Sequence, residues 1–204
     1  MKSKALPKKK MLSTRGLSLK KLLQVSDHLR KSGSGDTDPG GIEYTHTKNG
    51  MLVLRTEMTS ASRKNVKFDA WFTFLDNQDK NEIDDTCRVH AQCSCEDYTF
   101  TWEYANAAHN AARIFYGNGE APETKNIGCE PGLCKHLIAL AQYAVLIKSK
   151  ADAIKSKISK LRTSADSIQR SAQYAERSSD VLRDLDTAKK LRQQANDLEK
   201  QLTV

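Results

Sequence analysis

The chain has 204 residues, of which 38% are hydrophobic and 28% are charged. This length suits one medium domain with appendages, because a single core seldom uses more than about 200 residues. No apolar run approaches the roughly 18–20 residues that span a bilayer, and the N-terminal segment lacks the uninterrupted apolar stretch of a signal peptide. We therefore expect no membrane partner and no secretion through a signal peptide.

Charge is unevenly distributed along the chain. Residues 1–31 carry ten Lys and Arg against one Asp, a net charge of +9. Residues 32–147 carry ten basic and sixteen acidic groups, a net −6, and residues 148–204 carry thirteen and eight, a net +5. Because Lys and Arg dominate contacts with polyanions, a polyanion partner is expected at the basic N-terminal end rather than in the acidic middle.

The first 41 residues are predicted to form a basic arm and a linker. Lys8, Lys9 and Lys10 form a cluster, and the leucines that follow predict a short helix only if this segment docks on another surface. The stretch from Lys31 to Gly41 concentrates Gly, Ser, Asp and Pro, which favour turns and flexible linkage. We therefore place a domain boundary after residue 41.

Residues 42–95 form the predicted β-rich region, because short segments rich in β-branched and aromatic residues alternate there with turn signals. Asn49 and Gly50 separate two such segments and predict a hairpin with a type I′ turn, in which both central residues have positive φ. Apolar and polar residues alternate over residues 66–74, which predicts a strand with one apolar face.

A last strand is predicted from Cys87 to Cys95. Because side chains alternate along a strand, Cys93 and Cys95 are expected to emerge on the same face. Between Cys95 and Cys134 lies a segment of 38 residues. Its alanine-rich first half predicts a short helix, and its second half, which contains Gly and Pro, predicts a loop.

Residues 133–204 contain neither Gly nor Pro, which predicts a long helix or a pair of helices. Apolar or small residues recur there at alternating spacings of four and three, the pattern of a heptad seam. The register slips over residues 178–186, so a straight helix, a kink and a turn back all remain open. We assign residues 42–147 to a β-rich zinc-binding domain and residues 148–204 to a coiled-coil region.

Four residues of metal-ligand type occur as two tight pairs, Cys93 with Cys95 and Cys134 with His136. Three thiols and one imidazole are the number and kinds of donor that tetrahedral zinc takes in a closed structural site. Residues two apart in a helix point about 200° apart, so Cys134 is expected in a turn before the helix and His136 in its first turn. We predict one structural Zn²⁺ on these four residues, with a binding free energy of about 10–16 kcal/mol.

The order Cys-x-Cys followed by Cys-x-His resembles the signature of SWIM-type zinc fingers. The resemblance covers residues 83–147, about a third of the chain, and the spacer of 38 residues is longer than is usual in that family. A long spacer that ends in Cys-Lys-His-Leu beside a small β-region looks most like the SWIM-bearing proteins of tailed bacteriophages. The resemblance implies a ββα zinc finger and a role in DNA binding or protein interaction.

The remaining cysteines leave alternatives open. Cys129 could replace a ligand or form a disulfide with Cys134, whereas Cys87 is expected to be a small buried residue. Catalysis by zinc needs an open coordination position, and here protein groups fill all four. We therefore expect no enzymatic activity and no small-molecule substrate. A nucleophilic pair of Cys134 and His136 is the remaining enzymatic alternative.

These features predict an α+β fold: a small antiparallel sheet with a ββα zinc finger, a long C-terminal helix or coiled coil, and a basic N-terminal arm. The favoured function is a non-enzymatic assembly or interaction component, which the resemblance narrows to a bacteriophage virion or virion-assembly protein. Its partners would be other protein subunits, or further copies of the chain, bound through the C-terminal helix and the N-terminal arm.

The alternative function is nucleic-acid binding through the region of Lys8, Lys9 and Lys10. Both functions fit the reducing cytoplasm, or a virion assembled in the host cytoplasm. The cysteines support such a compartment, because four of the five lie close together between residues 93 and 134 rather than spread as a disulfide framework.

Overall fold

The computed structural model describes residues 16–26, 28–34, 37, 39–59, 66–78, 83–173 and 178–202. The chain divides into two compact units between Val145 and Leu146. The first unit contains a four-stranded antiparallel sheet with short helices, and the second is helical. The fold is therefore α+β, as predicted.

The sheet is a meander in which each strand pairs with its neighbour in sequence. Its strands are β1 (Pro39–His46), β2 (Met51–Thr59), β3 (Lys67–Gln78) and β4 (Val89–Cys93). Alternating side chains bury one face of the sheet, which confirms the apolar face predicted over residues 66–74. The buried side chains of this face are Leu52, Leu54, Thr56, Met58, Ala70, Phe72, Phe74, Val89, Ala91 and Cys93.

The turn between β1 and β2 differs from the predicted type I′ turn. Gly50 has a positive φ of 75°, whereas Asn49 is not among the described residues with positive φ. The Gly50 N–H donates to the Thr47 carbonyl at 2.9 Å, and the Thr47 N–H donates to the Met51 carbonyl at 2.9 Å. This is a three-residue loop in which a turn is followed by one left-handed residue. The hairpin is therefore where the sequence predicts it, but only position 50 needs a left-handed residue.

Part of the predicted arm packs against the sheet. Leu19 and Leu22 are fully buried, and the Val89 N–H donates to the Leu17 carbonyl at 3.0 Å, so this segment covers the outer edge of β4. The helices of the segment are α1 (Leu19–Val25) and α2 (His28–Gly33). Residues 1–15, which include the predicted lysine cluster, lie outside the described residues.

The predicted strand through Cys93 to Cys95 is shorter in the structure. Its last strand residue is Cys93, and Cys95 is the N-cap of the next helix. The prediction of one continuous strand is therefore wrong for Cys95, because the chain bends there and the residue caps a helix instead. The short helix predicted in the alanine-rich segment is confirmed as two helices, α3 (Glu96–Thr101) and α4 (Glu103–Ala108).

The C-terminal region forms two helices, α5 (Lys135–Gln173) and α6 (Ser178–Lys200). Arg162 Nη2 lies 2.8 Å from Glu199 Oε2, and Arg192 Nη2 lies 2.8 Å from Asp166 Oδ1. Because the residue numbers rise along one helix as they fall along the other, the two helices are antiparallel. Of the alternatives left open by the sequence, the chain therefore turns back on itself, and residues 174–177 between the helices lie outside the described residues.

The seam between α5 and α6 follows the predicted heptad spacing, and alanine occupies much of its interior. Ala165, Ala172, Ala188 and Ala195 are 0–2% exposed. The contacts between Arg162 and Glu199 place Ala165 and Ala195 at about the same level. Alanine on both helices lets their axes approach closely, because no side chain beyond Cβ separates them. No helix in the described part of the chain combines the length and the apolar character that a membrane crossing requires.

Candidate metal centre

The first cysteine pair is held at the junction of β4 and α3. The Ser94 N–H donates to the Asp69 carbonyl at 2.9 Å, and the Asp69 N–H donates to Ser94 Oγ at 2.9 Å. These two bonds anchor the residue between Cys93 and Cys95 to β3. The Cys95 sulfur in turn accepts a hydrogen bond from the Tyr98 N–H at 3.4 Å, as the cap of α3. Hydrogen bonds therefore fix the backbone between the two cysteines and the sulfur of Cys95.

The second pair lies at the start of α5, as the sequence predicts. The helix begins at Lys135, so Cys134 precedes it and His136 lies in its first turn. The Ile138 N–H donates to the Cys134 carbonyl at 3.0 Å, which joins the preceding turn to the helix. The predicted placement of the two residues in a turn and a first helical turn is thus confirmed.

The four side chains meet in one buried cluster. Their donor atoms all lie within 4.8 Å of one another, and each residue is at most 3% exposed. Cys93 Sγ and His136 Nδ1 are 3.9 Å apart. A tetrahedral zinc ion, with Zn–S of about 2.3 Å and Zn–N of about 2.0 Å, separates its donors by about 3.5–3.8 Å. The cluster is therefore of a size that can hold one metal ion.

Three thiols in one buried cluster favour a cation. Burial raises the pKa of the Cys93 and Cys134 thiols well above their ordinary value. The pKa of Cys95 is lowered, first because Cys134 and then because Cys93 hydrogen-bonds to its sulfur. The protein alone thus stabilises one thiolate and disfavours the next two, since like charges repel strongly in a low-dielectric interior. A divalent cation would supply the missing counter-charge.

The imidazole of His136 has bonding capacity that the surrounding protein leaves unmet. Its Nε2 is buried and has no hydrogen-bond partner within the described residues, and its ring packs against Phe68 with centroids 4.9 Å apart. Buried polar atoms in folded proteins rarely lack a partner. Coordination through Nε2 would supply this partner, whereas coordination through Nδ1, the nitrogen 3.9 Å from Cys93 Sγ, would leave Nε2 without one. Three thiolates with one imidazole are a donor set typical of zinc.

Asn106 holds the turn that carries Cys134. It is fully buried, its Nδ2 donates to the Gly132 carbonyl at 2.8 Å, and the Gly132 N–H donates to its Oδ1 at 3.0 Å. A Cβ at Gly132 would lie 2.5 Å from a ring carbon of Trp102, so glycine is required for the close approach. Sequence reasoning missed Asn106, because it lies 26 residues from its partner and matches no local motif.

A buried carboxylate organises the long segment between the two ligand pairs. Glu103 is fully buried, and its carboxylate accepts hydrogen bonds from the N–H groups of Phe115, Tyr116 and Gly117. This loop is therefore fixed to α4 by three charge-assisted hydrogen bonds. Residues 115–117 belong to the half of the segment for which the sequence predicted a short helix, and Glu103 was missed because a lone glutamate in a helix is normally exposed.

Cys87 and Cys129 lie outside the cluster. No disulfide joins the described cysteines, and Cys129 takes part in neither alternative considered for it, since it is not a member of the four-residue group. Its backbone has a φ of 51° and its thiol lies 3.9 Å from the Ile127 carbonyl. Cys87 is partly exposed, so its expected full burial is wrong. It lies beside the segment that covers the edge of β4, where the Leu19 N–H donates to its carbonyl.

The cluster can hold one metal ion on four protein donors. Comparisons with protein-family models, with curated proteins and with solved structures find no match. What the protein does therefore has to follow from its own residues.

Proposed function

We propose that the chain is a non-enzymatic protein in which one structural zinc ion is bound by Cys93, Cys95, Cys134 and His136. The burial of all four donors in a single cluster is the observation that supports this function most directly. The first pair belongs to the junction of β4 and α3, and the second pair belongs to the start of α5. One ion would tie these elements together, and its binding free energy would become folding free energy.

The closed cluster supports a structural rather than a catalytic role. Catalytic zinc sites keep one coordination position for water or substrate, whereas four protein donors complete a tetrahedral shell. Cys134 is also disfavoured as a nucleophile, because it is fully buried and a substrate would have to reach its sulfur. The protein would therefore act through binding surfaces and not through chemistry on a substrate.

The ligand order, with the first pair after a strand and the second at a helix start, supports a SWIM-type zinc finger. The protein would serve as an assembly or interaction component, and its likeness to phage SWIM proteins suggests a tailed-bacteriophage virion or its assembly in the host cytoplasm. The part of α5 beyond Val145 together with α6, which we call the helical hairpin, supports such a role, because it forms a compact unit of its own and has long exposed flanks. Partners would be other subunits, or further copies of the chain, bound by the hairpin and the N-terminal arm.

Nucleic-acid binding through Lys8, Lys9 and Lys10 is the second candidate function. The net charge of +9 over residues 1–31 supports it, because phosphate contacts by Lys and Arg dominate affinity for nucleic acids. Replacement of the three lysines by serine in the full chain tests this candidate. Unchanged affinity for a DNA duplex at low salt would eliminate it.

Elemental analysis of protein purified without added metal tests the zinc proposal. We expect one zinc ion per chain in the wild-type protein and in Cys129→Ser, and none in Cys134→Ser. Native mass measurement of the same samples then separates a homo-oligomer from a monomer that assembles on other subunits. Wild-type protein that is well folded and free of any metal would contradict the proposal.

A further inference from the structure

The two exposed flanks of the helical hairpin differ in how their charges are arranged. One flank, which we call the paired flank, carries the ion pairs that join α5 to α6 through Arg162 with Glu199 and Arg192 with Asp166. Further along the same side of α5, Lys148 Nζ lies 3.0 Å from Asp152 Oδ2. Basic groups on the paired flank are therefore largely opposed by acidic groups of the hairpin itself.

The opposite flank of α5 has no acidic residue. A rotation of about 100° per residue places eight residues there, all of them exposed. We call them the lysine-serine face: Ser149, Lys150, Ala153, Lys157, Lys160, Ser164, Ser167 and Ser171. Three ammonium groups and four hydroxyls thus line one side of a single helix, without a carboxylate among them.

The adjoining flank of α6 has polar residues of both charges. Since the helices are antiparallel and the ion pairs occupy one flank, the residues of α6 beside the lysine-serine face are those of its own opposite flank. These exposed residues are Thr187, Gln194 and Gln201, with Arg183, Lys190 and Asp197 beyond them. Asp180 and Asp184 also occur on this side of α6 by the same helical spacing, and Asp197 Oδ1 lies 3.6 Å from Lys200 Nζ. Arg183 Nε lies 4.0 Å from Asp184 Oδ1 and Lys190 Nζ lies 2.8 Å from Asp186 Oδ2, so the basic character of the combined flank comes from Lys150, Lys157 and Lys160 of α5.

We propose that the lysine-serine face binds the phosphate backbone of a nucleic-acid duplex without reading its bases. Lysines supply the electrostatic attraction, and hydroxyl and amide side chains donate hydrogen bonds to phosphate oxygens. The face extends from Ser149 to Ser171, on the order of 30 Å along the helix. That length matches about one helical turn of B-DNA, roughly 34 Å.

The composition of the face favours a nucleic acid over the other polyanions and over protein. Ala153 is its one apolar residue, so the face has no side chain that could insert into the acyl region of a membrane. Between Ser149 and Ser171 it has no aromatic or large aliphatic residue of the kind that protein interfaces use as anchors, and the half-exposed Leu146 lies at its N-terminal end. A second copy of the same face would be repelled, because both surfaces carry net positive charge.

This site is distinct from the arm lysines and does not depend on the zinc ion. Both the face and the ion pairs that define its orientation lie within the second unit of the chain, residues 146–204. Failure of the metal proposal would therefore leave the face unchanged, and failure of the face would leave the metal proposal unchanged.

Two charge-matched variants of the full chain test the proposal. In the face variant Lys150, Lys157 and Lys160 become serine, and in the control variant Lys148, Lys155 and Lys189 of the paired flank become serine. Each variant removes three positive charges from exposed or partly exposed helix positions and keeps the arm intact. Fluorescence anisotropy with a labelled DNA duplex of 20 base pairs, at several salt concentrations between 50 and 200 mM, gives the affinity and its salt slope.

We expect the face variant to lose at least about tenfold in duplex affinity. The slope of log affinity against log salt concentration should become shallower by about 2–3, since each phosphate contact contributes about 0.9. The control variant should stay within about threefold of wild type. Equal losses in the two variants would show a dependence on net charge alone and would overturn the proposal. So would wild-type protein that leaves the duplex unbound, or that binds phosphatidylserine vesicles in its place. Circular dichroism of both variants verifies that the hairpin is intact.

Discussion

The sheet unit and the helical hairpin bury different kinds of residue. In the sheet unit the largest fully buried side chains include Tyr98, Phe72 and Phe74, and polar groups such as Glu103 and Asn106 are buried with them. In the hairpin, which begins beyond Val145, the buried positions of the described residues are alanines and Ile158. The buried polar groups of the first unit therefore need hydrogen-bond partners that are distant in sequence, whereas the second unit needs little more than a regular heptad repeat.

This difference predicts that the two units fail in different ways. A unit that collects three thiols and an imidazole in its interior depends on whatever neutralises them, because unpaired buried charges are strongly destabilising. A seam of alanines between exposed ion pairs contains no such group. Removal of the metal or of a buried hydrogen bond should therefore destabilise the sheet unit. Enlargement of a buried side chain should destabilise the hairpin.

Metal removal should have the largest effect. Zinc bound to four such donors is worth about 10–16 kcal/mol, comparable with or larger than the roughly 5–15 kcal/mol by which ordinary domains are stable. We expect a chelator to abolish hydrogen-exchange protection in β2 and β3 and to leave α5 beyond Ile158 and α6 protected. Exchange measured by mass spectrometry on peptides from both units checks this. Full protection of β2 in metal-free protein would mean that the sheet unit is stable without an ion.

Asn106→Ala should have the next largest effect. It leaves the N–H and carbonyl of Gly132 without their buried partners, which costs about 1–3 kcal/mol for each group and about 2–6 kcal/mol in total. We expect a lower denaturation midpoint and weaker zinc binding in a chelator competition, because Gly132 belongs to the turn that carries Cys134. The exposed Asn118→Ala serves as the control and should change stability by less than about 0.5 kcal/mol. Equal midpoints for the two variants would refute a clamping role for Asn106.

Ala165→Leu tests the close approach of the two helices. Ala165 is fully buried in the seam, so a larger side chain should overpack it, and we expect a loss of about 1–3 kcal/mol in the hairpin. Ala153→Leu makes the same change at an exposed position of the same helix and should be nearly neutral. Hydrogen exchange of α6 reports the hairpin separately from the sheet unit. A leucine tolerated equally at both positions would show that the seam is not tightly packed.

The smallest effect is expected from the ion pair between Arg162 and Glu199. Both side chains are about half exposed, and such pairs contribute below about 1 kcal/mol. A double-mutant cycle with alanine at each position should give a coupling of a few tenths of a kcal/mol that disappears in about 1 M salt. A coupling that survives high salt would mean that the pair is shielded from solvent and belongs to the core of the hairpin.

The sequence was sufficient for the features that local spacing controls. Two cysteines and a Cys-x-His pair identify the four donors of the cluster, because residue type and a spacing of two already restrict which side chains can meet. Alternation over residues 66–74 predicted the buried face of β3, since successive strand side chains point to opposite sides. The heptad spacing of residues 154–172 likewise predicted the helical seam. Each of these patterns depends on the geometry of one element.

The tertiary structure decided the features that depend on contacts between distant residues. The heptad pattern fits a straight helix as well as a hairpin. Only the ion pairs and the buried alanines of α5 and α6 show that the chain turns back. Cys95 became a helix cap rather than a strand residue, because the chain bends after Ser94 is bonded to β3. The burial of Asn106 and Glu103 could not be predicted from the sequence. A buried polar side chain is stabilised by hydrogen-bond partners that only folding brings within reach.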